Sequence, residues 1–374
     1  MRRIRARKTA GGEAQPLRLG LYRFLQGCAV IHRPSLLRSP RACRRAVLES
    51  ARNTVLRLAQ HERTDGQFAV EAIDLVKDFG DKRAVDGISL KVPTGSIYGL
   101  LGPNGAGKTT ALRTMLGIID PSSGTRRLLG CDRPLDAARE VGYLPEERGL
   151  YPSMTARDAI AFMGALRGLP LRQGRLRADG LLAGHGLGEW AREPVRNLSK
   201  GMAQTVQLLG TIVHRPRLIV LDEPFSGLDA INQAKLEELI RAEARGGATI
   251  IFSTHVIAHA ERLCERIAII AGGRLAFEGA VDEARDRLQP IVRLRTRSED
   301  GPWRSALPAD ARCNAGEWVF ELPAGGPEPL LRALLDGGAG IDTLAIERPG
   351  LHDAFVAIAG DAAAAAMGNG QASG

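Results

Sequence analysis

No stretch of the 374-residue chain approaches the roughly 18 uninterrupted apolar residues that cross a bilayer, so the sequence predicts a chain that does not span a membrane by itself. Cysteine is scarce and unpaired in pattern. Cys28, Cys43, Cys131, Cys264 and Cys313 are odd in number, widely spread and never spaced Cys-x-x-Cys. That excludes a disulfide framework and a zinc module, and sets a reducing, cytoplasmic compartment as the expectation. A basic body is lacking too. The formal charge is +9, yet residues 1–65 hold fourteen arginines and Lys8 against Glu13, Glu49, Glu62 and Asp65, which leaves the remainder slightly acidic. The high pI therefore belongs to an N-terminal arm, and no nucleic-acid partner is expected.

The length allows two or three domains, with a hydrophobic fraction of 44% and charged residues at 25%, as in ordinary globular proteins. Residues 1–66 read as a basic, unstructured arm. Their one apolar stretch, Leu19 to Ile31, is broken by Arg23 and lacks a small-residue cleavage pattern, which argues against a signal peptide. A transit-like arm, a polybasic tether to anionic lipid and translated upstream sequence are the alternatives for it.

From Phe68 onward short apolar runs are punctuated by Gly and Pro. The alternation predicts strands over 68–76, Ile88 to Val92, Ser96 to Leu101, Val141 to Leu144, Leu218 to Leu221, Thr249 to Ser253 and Ile267 to Ile270. Helices are expected from about Gly107 to Leu116 and over Ile231 to Ala244, and residues 155–213 show helical periodicity only. Strands alternating with helices make an α/β core over 67–288, with a helical insertion at about 155–213. Residues 289–360 then read as a small α+β domain, with strands at Ile291 to Arg295, Glu317 to Leu322 and Asp342 to Ile346, a helix at Glu328 to Leu335 and a short one through Phe355. An Ala- and Gly-rich tail over 361–374 is expected to be unstructured.

The strand ending at Leu101 runs into Gly102, Pro103, Asn104, Gly105, Ala106, Gly107, Lys108, Thr109 and Thr110, a match to G-x-x-x-x-G-K-[ST] with the strand before and helix after that the template needs. Glycines let the chain curl round a phosphate with its N–H groups inward. Lys108 offers an ammonium to the terminal phosphates, and the Thr109 hydroxyl can ligate Mg²⁺. The loop predicts nucleotide binding without choosing among GTPases, kinases and ATPases.

Arg217 to Pro224 is an apolar strand that delivers Asp222 and Glu223 at its carboxyl end, where ligands of open α/β sheets bind. Alternation gives the two acids different roles: Asp222 to hold Mg²⁺, Glu223 to orient and deprotonate the attacking water. The alternative is a strand whose acids simply meet solvent. His255 ends the following strand, where it can reach the γ-phosphate and the water near Glu223, or can serve as a structural histidine.

With these residues in hand, residues 68–288 resemble the nucleotide-binding subunits of ABC (ATP-binding cassette) transporters. The deciding stretch is Leu198-Ser199-Lys200-Gly201-Met202, similar to the family's Leu-Ser-Gly-Gly-Gln signature, with Lys200 and Met202 as departures. Read from the residues alone, Ser199 and Gly201 open a helix and make an anion site. The resemblance implies a P-loop NTPase core of ABC type with a helical subdomain, ATP and Mg²⁺ as ligands, and ATP hydrolysis coupled to transport. It implies a separately encoded transmembrane permease as partner, at the inner face of the cell membrane. It also implies a second, identical or related ATPase subunit whose signature closes on this chain's ATP.

Ser226-Gly227-Leu228-Asp229 resembles the family's D-loop, and Phe79 matches the aromatic that stacks on adenine, with core packing as its alternative. Glu146 occupies the place of the Q-loop glutamine. A carboxylate there can still ligate Mg²⁺, but it adds negative charge and cannot donate a hydrogen bond to water. The stretch from Glu146 to Tyr151 resembles a subgroup of prokaryotic sodium- and antibiotic-efflux ATPases that carry a small C-terminal appendage, which implies export. A soluble ABC ATPase acting on ribosomes or DNA is the alternative, although no second cassette, long coiled coil or zinc module is visible. A guanine-reading Asn-Lys-x-Asp motif is absent as well.

Overall fold

The computed structural model describes residues 67–147, 149–298 and 300–370, with side chains to 362. The expectation of an unstructured arm over residues 1–66 lies outside the described residues.

Strands β1 (Phe68–Phe79) and β2 (Lys82–Pro93) form a hairpin, and β3 (Ile97–Leu101) leads into helix α1 (Lys108–Met115). Then follow β4 (Ser123–Leu128) and β5 (Val141–Leu144), the insertion helices α2 (Ala156–Leu166), α3 (Leu171–Gly184) and α4 (Lys200–Ile212), and β6 (Leu218–Asp222). The core closes with α5 (Ala230–Arg245), β7 (Thr249–Thr254), α6 (Ile257–Leu263), β8 (Arg266–Ala271), β9 (Arg274–Ala280) and α7 (Val281–Arg285).

Six strands make the central sheet in the order β5-β6-β7-β3-β8-β9, parallel except for β9. Because side chains alternate, Leu218 and Val220 of β6 join the core under the β1–β2–β4 sheet and α1, whereas Ile219 and Leu221 face the insertion helices. Both faces are thus covered, as a mostly parallel sheet requires. The order places the ends of β3, β6 and β7 side by side, and these ends carry the phosphate loop, Asp222 and Thr254.

The expected strands and helices of the core recur near the predicted bounds, except that β2 begins six residues before the expected Ile88, and the insertion contains the three helices α2 to α4. Two strands of the core went unpredicted, as did a three-residue strand at Arg312–Asn314 in the C-terminal region. β4 reads Ser-Gly-Thr-Arg-Arg-Leu and is mostly exposed, so it lacks the apolar alternation that marks a strand. β9 pairs antiparallel at the sheet edge and buries only Phe277 and Gly279, so it shows no clear apolar alternation either.

The C-terminal region adds β10 (Ile291–Thr296), β11 (Arg312–Asn314), β12 (Glu317–Glu321), α8 (Pro327–Asp336), β13 (Ile341–Glu347) and α9 (Leu351–Gly370). Its four strands pair in the order β11-β12-β10-β13 over a core of Val292, Leu294, Trp303, Trp318, Phe320, Leu330 and Leu334. Two expectations are corrected here. Helix α9 runs to Gly370, ten residues into the stretch expected to be unstructured, because the Ala362 to Ala366 run has the highest helix propensity of any residue type. Moreover, Leu351, Ala354 and Ile358 pack into the ATPase core and not the small domain's own, so the assignment of 289–360 to one appendage divides at β13.

Candidate functional site

The loop between β3 and α1 is shaped by contacts that only glycine tolerates. A Cβ on Gly102 would stand 2.3 Å from the Ile270 carbonyl oxygen. Gly107, the N-cap of α1, has φ +103°, and a Cβ there would meet the Ala84 carbonyl at 2.4 Å. Asn104 to Thr110 line a cleft of about 630 Å³, whose other walls include Lys82, Glu146, Glu223, Ser226 and His255.

Lys108 is buried at 6% exposure and curls back so that Nζ donates to the carbonyls of Gly102 (2.8 Å) and Pro103 (3.2 Å). The same ammonium lies 3.2 Å from Glu223 Oε1. Thr109 Oγ1 donates to Asp222 Oδ1 at 3.1 Å, joining α1 to the end of β6. His255 Nδ1 is 2.9 Å from Glu223 Oε2. Loop, Glu223 and histidine therefore converge on one cleft, and Asp222, bonded to Thr109, lines the adjoining pocket with Glu146 and Glu223.

Glu223 is held at φ +48°, a left-handed conformation that costs a non-glycine residue about 1–2 kcal/mol. Its amide donates to Ser253 Oγ at 2.9 Å, and that hydroxyl donates to Asp222 Oδ1 at 2.6 Å. Ser253 is the ladder partner of Asp222, fully buried, and had no role in the sequence reading. The signal for it was positional, the last apolar-strand residue but one before His255, opposite the acid across a parallel pair. Behind the acids, Arg113 of α1 reaches the Tyr143 hydroxyl at 3.4 Å, and burial raises the pKa of that phenol.

Asp222 Oδ2 and Glu223 Oε1 are buried without a hydrogen bond, although Lys108 stands within ion-pair distance of the latter. The orphaned Asp222 oxygen, beside the Thr109 hydroxyl, fits a hard cation that takes its remaining ligands from phosphate and water. The described residues hold no cluster of three or more His, Cys, Asp or Glu side chains arranged as a protein-only metal cage.

Ser199 and Gly201 lie elsewhere. Ser199 caps α4 by accepting from Met202 N at 3.2 Å and lines a pocket of about 130 Å³ with Met202, Leu228 and Asn232. Phe79, 48% exposed, sits where the β1–β2 hairpin turns, with Lys77 Nζ 5.1 Å from its ring. That exposure removes the core-packing alternative. Lys82, its pairing partner, lines the phosphate cleft, whereas Phe79 does not border it.

A family model described as ABC transporter matches residues 85–226. The uncharacterized ABC transporter ATP-binding protein YhaQ of Bacillus subtilis strain 168 is 33% identical over 292 residues, which cover 75% of this chain and 95% of the relative. The chain belongs to the ABC transporter ATP-binding proteins. This ABC ATP-binding protein is also 39% identical over 212 residues to the Nod factor export ATP-binding protein I of Ralstonia nicotianae, covering 56% of the chain and 66% of the relative. A solved structure, the ATP-binding subunit of an ABC transporter, superimposes with a TM-score of 0.54 at 30% identity, over 59% of this chain and 92% of that one. As an ABC subunit the chain binds and hydrolyses ATP, and subunits of this kind work with transmembrane partners. No helix among the described residues is long and apolar enough to cross a membrane.

Proposed function

We propose that this subunit powers an exporter from the inner face of the cell membrane, with MgATP in the cleft of Lys108 and a second copy's Ser199 enclosing it. The observation that carries the reading is Glu223, whose carboxylate lies between Lys108 Nζ and His255 Nδ1 at the end of β6.

The backbone of Gly102 to Thr110 and the Lys108 ammonium bind the phosphates, with the amino end of α1 adding positive partial charge. Thr109, Asp222 and Glu146 would hold Mg²⁺, which when bound offsets the charge on the outer phosphates. Glu223 takes the proton of the attacking water, and His255, hydrogen-bonded to its other oxygen, fixes its orientation and reaches toward the γ-phosphate. Phe79 offers a face for the adenine ring.

Ser199 lies outside the cleft of its own chain, so its anion-binding helix start is available to a second copy's nucleotide. Export is supported by the Ralstonia nicotianae relative, named for export of Nod factor. The test is purification of the full chain from solubilised membranes, followed by transport in inverted vesicles. Co-purification of a polytopic membrane protein and ATP-driven uptake into inverted vesicles are expected. ATP-driven uptake confined to right-side-out vesicles would contradict export.

A further inference from the structure

Phe225 stands two residues after Glu223 and opens the Ser226 to Asp229 segment. Its ring lies flat on the imidazole of His259, with centroids 3.9 Å apart and an interplanar angle of 7°. A second ring contact is Phe252 of β7, edge-on at 5.9 Å and adjacent in sequence to Ser253. Both members of the stack are buried, Phe225 at 4% and His259 at 3% exposure.

His259 is itself fixed. Nδ1 lies 3.0 Å from Glu237 Oε1 on α5, and that buried carboxylate also accepts from Arg262 Nη2 at 2.6 Å. Burial works against ionisation of Glu237, yet the bonds from Arg262 and His259 outweigh it and leave its pKa below the ordinary carboxylate value. A charged, doubly paired acceptor of this kind holds the imidazole in one orientation. Helix α6 and the residues leading into it therefore present two histidines to one turn of chain. His255, just before the helix, touches the Glu223 carboxylate, and His259, one turn on, lies against the ring two residues beyond it.

The turn needs such support. Glu223 carries a left-handed φ of +48°, and such conformations persist only where surroundings over-determine them. Ser253 fixes its amide, Gln204 donates to the Pro224 carbonyl at 2.8 Å, and the stack fixes Phe225. The first two supports are polar and come from β7 and α4. The ring stack ties the turn to α6 and, through the His259–Glu237 contact, to α5.

We infer that His259 is a positioning residue for ATP hydrolysis, which acts through its stack on Phe225 to hold the Glu223 carboxylate in its productive orientation. The inference rests on the reading of Glu223 as the group that activates water. His259 touches neither nucleotide nor water, so its loss lowers kcat and leaves ATP affinity unchanged.

The test uses the full chain with three substitutions, measuring steady-state ATPase activity and, separately, the Kd for a fluorescent ATP analogue. His259→Ala is expected to lower kcat about tenfold or more with Kd within about twofold. His259→Phe keeps a flat ring on Phe225 without the Glu237 contact and should recover kcat to within about threefold of wild type. His259→Gln keeps a partner for Glu237 without the ring and should resemble the alanine variant. If the alanine variant does not fold, the order of Phe above Gln still decides. Wild-type kcat in His259→Ala, a phenylalanine variant no better than the glutamine one, or parallel losses of kcat and affinity would overturn the inference. Glu223→Gln, measured alongside, separates the two failures. If it abolishes turnover while His259→Ala is unaffected, only the positioning role falls. If it leaves turnover intact, the reading of Glu223 falls and the inference with it.

Discussion

Lys108 Nζ stands 3.2 Å from Glu223 Oε1, a contact between two charges that are each less than a tenth exposed. Removing Lys108 takes the ammonium from a buried carboxylate that keeps its contact with His255, at a cost of about 3 kcal/mol. Lys108→Ala should therefore lower thermal stability as well as ATP affinity, and the affinity loss should reach at least about tenfold because a charged phosphate contact is worth about 1.5–3 kcal/mol. Calorimetric melting and titration with a fluorescent ATP analogue check the two effects on the same sample.

Ser253 joins the acids by donating to Asp222 Oδ1 and accepting from Glu223 N. Ser253→Ala strips both at once in a fully buried place, at about 1–3 kcal/mol. Turnover should fall about 10- to 100-fold, and the Mg²⁺ concentration for half-maximal activity should rise, since Asp222 loses the bond that orients it. A Mg²⁺ titration of ATPase activity measures this. Chelation of the cation should stop turnover in wild type while nucleotide still binds, more weakly.

These two paired residues show what a single sequence discloses and what it hides. Gly102 to Thr110 are contiguous, and each has a local reason, so Lys108 and Thr109 were legible without a structure. Asp222, Glu223 and His255 were legible because strand ends carry ligands in α/β sheets. Ser253 was not, since a serine near a strand end has no pattern until β6 and β7 are known to be neighbours in register. His259 escaped for the same reason, since its stack depends on how α6 meets the turn after β6. Helix α9 was cut short because a Gly- and Ala-rich composition suggested disorder, while the alanine run and the burial of Ile358 favour a helix packed on the core.

His214 follows the C-cap of α4, with Nε2 3.2 Å from the Val141 carbonyl, and burial pushes its pKa from 6.5 down to about 4. The unfolded chain then binds the proton more readily, so the stability it contributes is complete above pH 6.5 and is lost progressively as pH falls toward 4. The loss is on the order of 2 kcal/mol. Denaturant melts between pH 4 and 7 should show a shallower decline for His214→Phe than for wild type.

Leu351 is fully buried in the ATPase core, although it opens α9, the last helix among the described residues, and its amide donates to Glu261 Oε1 of α6 at 3.0 Å. Leu351→Ala should cost about 2–4 kcal/mol, visible as a lower melting temperature of the ATPase core and not of the β10–β13 sheet alone. Hydrogen exchange at β8 amides, before and after the substitution, localises the effect.

In the proposed function two copies share their nucleotides. Sedimentation of the Glu223→Gln variant with MgATP tests this, because loss of water activation traps ATP while the phosphate contacts persist. A stable dimer holding two ATP molecules is expected, and adding Ser199→Arg should return it to a monomer that still binds ATP. A monomer at every ATP concentration, or a dimer indifferent to Ser199→Arg, would contradict it.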